Sequence, residues 1–305
     1  MVILMAVMGV MLIGGTALTL MWSNIGYAPW NLASDAGGDV LPSGDVDVPP
    51  VRVVATGYLR GVAVAIVGGF WAGALVTGPA VRLIMRLLAV TAGDDAQGRL
   101  TEADEVVGNI DVGGTIGLIV FGGVLTGLLS GAVYMLVRRW LPTGWLGGVT
   151  FGLLHLVVAA TVIDPLRPDN PDFDLVGPGW LSVTTFGAAC VLHGLAVMAF
   201  ANRYSHLVPP AASRSDSTAW VVPILLLVLP SMILVLSGVG IAATVVGLVI
   251  TLVLSRSATV LRLARSRGVL VAGRVVLVAL ALVLLPRVIA DLQDVINRPT
   301  AAAGS

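Results

Sequence analysis

Residues 113–137 read GGTIGLIVFGGVLTGLLSGAVYMLV, an unbroken run without a charge. A helix needs ~20 mostly apolar residues to cross ~30 Å of hydrocarbon, and this run meets that length. Working outward, comparable runs lie at 2–22, 58–79, 145–163, 180–201, 219–236, 240–255 and 269–287. Together they predict an all-α fold, a polytopic transmembrane helical bundle of about eight spans. Seven is the count if Met1–Trp22 does not span, or if the chain does not turn at Leu236-Ser-Gly-Val-Gly240. Met1–Trp22 lacks a basic leading region and a clear small-residue cleavage motif, so it reads as a first span or signal anchor that is retained.

Composition points the same way. The 305 residues are 57% hydrophobic and 11% charged, which leaves too little polar surface for a water-borne globule. Formal net charge is zero, and there is no polybasic tail or groove-reading motif, so nucleic acid is not an expected partner. The bilayer is the expected partner, with a membrane protein or a second copy of the chain as further possibilities. The single cysteine, Cys190, excludes an intramolecular disulfide.

The whole chain, 1–305, reads as one membrane domain. Its polar interruptions are a flexible loop at 23–57, a loop at 93–111 and a polar tail at 289–305. Within 93–111, Thr101 followed by Asp104 and Glu105 is an N-cap pattern that predicts a short interfacial helix. Trp22, Trp140, Trp145, Trp180 and Trp220 fall at the ends of runs, where an indole can keep its N–H wet. Arg138 and Arg139, Arg203 and Arg214, and then Arg256, Arg262, Arg265 and Arg267 occupy alternate loops, which predicts that those loops are cytoplasmic. The Asp-rich loop 164–179 and both termini then lie outside, in a cell membrane crossed many times.

Glycines recur four apart as GGxxxG. Gly69 and Gly73 share one face, as do Gly123, Gly127 and Gly131, and Gly148 and Gly152. Such stripes let helix backbones approach closely, and these three helices are expected to pack together. The alternative is a hinge or conduit lining of the kind carriers use.

Three sets of polar residues could carry chemistry. Arg82 and Arg86 stand one turn apart in an apolar segment, suiting a phosphate or carboxylate. Their other reading is snorkelling to headgroups or pairing with Glu102, Asp104 or Glu105. His155 and His193 are each ten residues from a span end, which puts both ~15 Å deep by helical rise. They form an intramembrane polar site that pairs helices or, with Cys190 near, holds a metal or haem. Arg274, in the last run, reaches the cytoplasmic interface or a carboxylate. The loop Asp164–Asp174 has side chains that could meet a hard cation, but it reads as a solvated cap, and no metal site is assigned. No Ser–His–Asp set, HExxH, CxxC or phosphate loop is present, so no catalytic residue is assigned and an enzyme is the less favoured class.

Arg82-Leu-Ile-Met-Arg-Leu-Leu, Leu100-Thr-Glu-Ala, Val112-Gly-Gly-Thr, Phe121-Gly-Gly, Arg138-Arg-Trp-Leu-Pro and Ile163-Asp-Pro-Leu-Arg-Pro carry a resemblance. The chain resembles uncharacterised multi-spanning membrane proteins of high-GC Gram-positive bacteria. That resemblance implies a membrane location and transfers no residue role. The expected function is a non-enzymatic helical-bundle membrane component that meets a partner or lipid. The alternatives are a small-solute transporter or channel, and a haem- or metal-binding redox protein.

Overall fold

The computed structural model describes residues 2–28, 49–208 and 238–298. The helices are α1 (Val2–Trp22), α2 (Val51–Thr91), α3 (Val112–Val137), α4 (Trp145–Ala160) and α5 (Gly179–Leu207). They are followed by α6 (Val239–Leu254), α7 (Ala258–Arg265) and α8 (Arg267–Asn297). Among the described residues, five are long and apolar enough to cross a membrane, α1, α2, α3, α5 and α8, or six if α6 and α7, bent by 106°, form one span. The expectation of eight differs because α4 and α6 are short and the run 219–236 lies outside the described residues. Trp220 and Arg214 lie outside them too.

The centre of the bundle is the antiparallel pair α2 and α3. Gly69 faces Gly127, Gly73 faces Gly123, and Gly131 faces Ala65, each so close that a methyl group would meet the opposing carbonyl oxygen. Both helices widen to π geometry where they cross, at Gly73–Thr77 and Ile119–Leu125. In α2 the cause is Pro79, which has no N–H to give to the Leu75 carbonyl, so one wide turn absorbs the missing bond. The Leu75 carbonyl then lies against Gly15 of α1, where only a glycine leaves room.

α4 does not join that pair. Its Gly148 and Gly152 pack on Leu195, Cys190 and Val191 of α5, across from Gly194. The expected three-helix glycine cluster is therefore two couples, α2 with α3 and α4 with α5, because Gly194 supplies the matching small residue for α4. α5 is antiparallel to α2, with Gly68 against Ala201 and Thr77 against His193, and its lower half is almost wholly buried.

Three further corrections concern the polar segments. Residues 93–111 form no interfacial helix; beyond a single 3-10 turn at Asp94–Ala96, the chain doubles back with Leu100 bridged to Val106. Thr101 accepts from the Glu105 amide at 3.2 Å, but Asp104 takes φ +58°, which reverses the chain instead of starting a helix. The loop proposed for 23–57 ends early, since α2 starts at Val51, and its first residues dock on α5. There Ser205 Oγ accepts from the Ala28 amide at 2.8 Å and Asn202 donates to the Ile25 carbonyl at 2.9 Å. The tail proposed for 289–305 is helical to Asn297, because Val288 and Val295 are buried and continue the apolar spacing of α8 through Pro286.

These directions sort the charges by end. Arg138, Arg139 and Arg256 follow helices, Arg203 lies in the last turns of α5 and Arg267 begins α8, all at one end, where the Arg203 guanidinium faces the Trp22 ring at 5.9 Å. Loops 92–111 and 161–178 meet at the other and carry most of the carboxylates.

Candidate functional site

At the acidic end a cavity of about 390 Å3 opens between the last turns of α2, the start of α3 and the two loops. Arg82 and Arg86 line it together, one turn apart as their spacing requires. Asp111 caps α3 by accepting from the Gly114 amide at 2.7 Å, and Thr115 donates to the Asp111 carbonyl at 2.8 Å. Arg82 Nε donates to Thr115 Oγ1 at 3.0 Å, which fixes its guanidinium at the cavity wall. Arg86 makes no ion pair or hydrogen bond among the described residues.

The expected pairing of these arginines with Glu102, Asp104 or Glu105 gives no ion pair among the described residues: Glu102 is claimed by Arg167 at 2.5 and 2.6 Å, and Asp111 and Glu105 attract Arg82 only through space. Arg167 also reaches Asp169 at 3.0 Å, and Asp172 accepts from the Glu102 amide at 2.7 Å. Arg298, just after α8, donates to the Pro168 and Asn170 carbonyls and meets Asp174 at 3.3 Å. Thr91 closes the ring by donating to the Gly177 carbonyl at 2.6 Å. Loop 161–178 is thus tied to α2, to loop 92–111 and to the end of α8, which makes it a fixed wall. Burial raises the Asp172 carboxyl above the ordinary carboxylate range, against the opposing effect of the Glu102 amide.

Met85, Leu88, Phe173 and Phe186 supply an apolar side to the same cavity, while Glu105 and Asp164 stand at its polar rim. The arrangement suits a ligand with an anionic group for two guanidiniums and an apolar body for the remainder. Phe173, Phe186 and Thr115 carried no sequence signal, since they are brought to Arg82 from three distant segments.

His155 and His193 are brought together, with ring centroids 5.1 Å apart and rings edge to face. His193, 2% exposed, has one ring nitrogen 2.7 Å from Thr77 Oγ1 and the other 2.8 Å from Ser130 Oγ. Both nitrogens are engaged by hydroxyls that can donate or accept, and the rings leave no space between them for a macrocycle. The geometry is that of a polar node joining α2, α3, α4 and α5. Among the described residues no three His, Cys, Asp or Glu side chains group as a metal site. Arg274 lies elsewhere, at the opposite end, beside Trp140.

No protein family, curated protein or solved structure matches the chain, so function has to be read from its own geometry.

Proposed function

We propose that this chain is a multi-pass protein of the plasma membrane, a non-enzymatic helical-bundle component with eight spans. Its cavity at the acidic end receives the phosphate or carboxylate of a membrane amphiphile between Arg82 and Arg86. Support for the bilayer comes from the five long apolar helices and from the charge sorting, with arginine-bearing connections at one end taken as cytoplasmic. The count of eight takes in the apolar run 219–236, which lies outside the described residues, and α4 and α6 as two short spans.

The observation that carries the ligand reading is a pair of guanidiniums sharing one cavity and held in no ion pair among the described residues, with Glu102 bonded to Arg167, Asp111 to the Gly114 amide, and Glu105 the carboxylate left to attract Arg82. Depth agrees with it. Gly73 crosses the middle of α3, and from there Arg82 and Arg86 lie ~14 and ~20 Å along α2, at the edge of a ~30 Å hydrocarbon layer.

The test is binding of phosphatidylglycerol and, separately, of glycerol phosphate to the detergent-purified protein and to an R82Q/R86Q variant. Loss of two charge-assisted contacts is expected to weaken binding at least about tenfold. Binding of the lipid alone assigns a membrane amphiphile, and binding of both assigns the phosphate group itself. Equal binding by the variant contradicts the site.

A small-solute carrier is the second reading, favoured by one observation. Two π segments pack on each other at mid-depth beside the His193 node, and such segments occur frequently at functional sites.

A further inference from the structure

We infer a second lipid site, at the arginine-bearing end, formed by the cleft between α4 and α8 and taking one anionic phospholipid. It rests on the membrane reading above and lies at the opposite end from the Arg82 cavity.

Leu153 and Val157 on α4 face Leu277, Val278 and Ala281 on α8, two apolar stripes at helical spacing on helices running the same way. α8 meets α4 at that helix's last turn, Leu156–Ala160, and the two stand apart toward Trp140, where α8 is fastened separately. At one end Gly273 lies against the Trp140 indole, and at the other Val295 lies against Gly179. Between these fastenings is a gap of about 600 Å3. No described residue fills this apolar gap, which opens along the side of the bundle and takes hydrocarbon in a bilayer.

Arg274 selects which hydrocarbon. It stands at the upper rim of the cleft, exposed, and makes no ion pair or hydrogen bond among the described residues. From Arg274 to Ala281 the cleft descends ~10 Å by helical rise, so a guanidinium at headgroup level sits directly above a channel for an acyl chain. The Trp140 indole beside it is turned onto Gly273, its Nε1 buried without a hydrogen-bond partner among the described residues. A cation above an apolar slot is complementary to a phospholipid phosphate above its chain, and among the described residues no carboxylate pairs with Arg274.

The experiment is native mass spectrometry of the purified full chain titrated with phosphatidylglycerol. R274Q is expected to weaken retention of one lipid roughly fivefold, the effect of one basic residue at a membrane surface. R274K is expected to restore it, and the R274Q loss is expected to be of the same size in an R82Q/R86Q background, where the other site no longer contributes. An R274Q variant that binds as the native chain does, or a loss that lysine does not restore, overturns the inference. A photo-crosslinking residue at Val278 gives a reading independent of charge. Its lipid adducts are expected to be enriched in phosphatidylglycerol relative to the same residue at Val283, which is 75% exposed. Identical adducts at both positions overturn the site. A chain recovered in the soluble fraction sinks the membrane reading itself, whereas an embedded chain without cleft lipid sinks this inference alone.

Discussion

A methyl group placed on Gly69 would land on the Gly127 carbonyl oxygen, whereas one placed on Gly187 would meet nothing within 4 Å. Backbone cannot move aside as a flexible side chain can, so Gly69→Ala forces α2 and α3 apart. The expected cost is about 1–3 kcal/mol, as for other overpacked sites. Gly187→Ala is expected to stay within ~0.5 kcal/mol. Thermal unfolding in detergent separates the two, and equal melting temperatures would show that close approach does not hold the pair. At the His193 node, Thr77→Val leaves a buried ring nitrogen without its hydroxyl and is expected to cost about 1–3 kcal/mol, read by the same method. Asp172 gives a pH dependence. Its raised folded-state pKa means that the native chain holds its proton more tightly than the unfolded chain does. Stability from this group is therefore complete below the ordinary aspartate value and is lost as pH rises from there through the raised value. Asp172→Asn keeps an oxygen for the Glu102 amide and is expected to flatten that slope and raise stability at neutral pH. An unchanged slope would assign the pH dependence elsewhere.

Elements divide by how local their causes are. The apolar runs at 2–22, 113–137 and 180–201 each state a helix on their own, and α1, α3 and α5 lie over them. Glycine spacing was equally local, and it marks the faces of α2, α3 and α4 that make close contact. Partner choice was not local, because Gly194, which draws α4 to α5, has no second glycine four residues away to announce it. The doubling back at 100–106 depends on Asp104 accepting a left-handed backbone, a choice that an N-cap pattern does not reveal. Burial of Val295 against Gly179 likewise extends α8 beyond the point where Asp291 and Asp294 suggest a polar tail. Of the candidate site, the arginine pair was legible as two residues on one helix face. Its cavity was not, since the walls come from loops 92–111 and 161–178 and from Phe186 on α5.

For the whole molecule the decisive property is the sorting of its two ends. One end gathers the arginine-bearing connections and the Arg274 cleft; the other gathers the carboxylates of the described residues, the loops clamped by Arg167 and Arg298, and the Arg82 cavity. On the proposed topology these ends face opposite sides of one membrane, so the two lipid sites serve different leaflets. Single-cysteine labelling tests this most directly. With Cys190 replaced by Ala, a cysteine is placed either at Asp169, whose side chain is 76% exposed in the acidic loop, or at exposed Thr143 between α3 and α4. In intact cells a membrane-impermeant maleimide is expected to label the cysteine at 169 and to reach the one at 143 only after permeabilisation. Labelling of both from outside, or of 143 alone, contradicts the account.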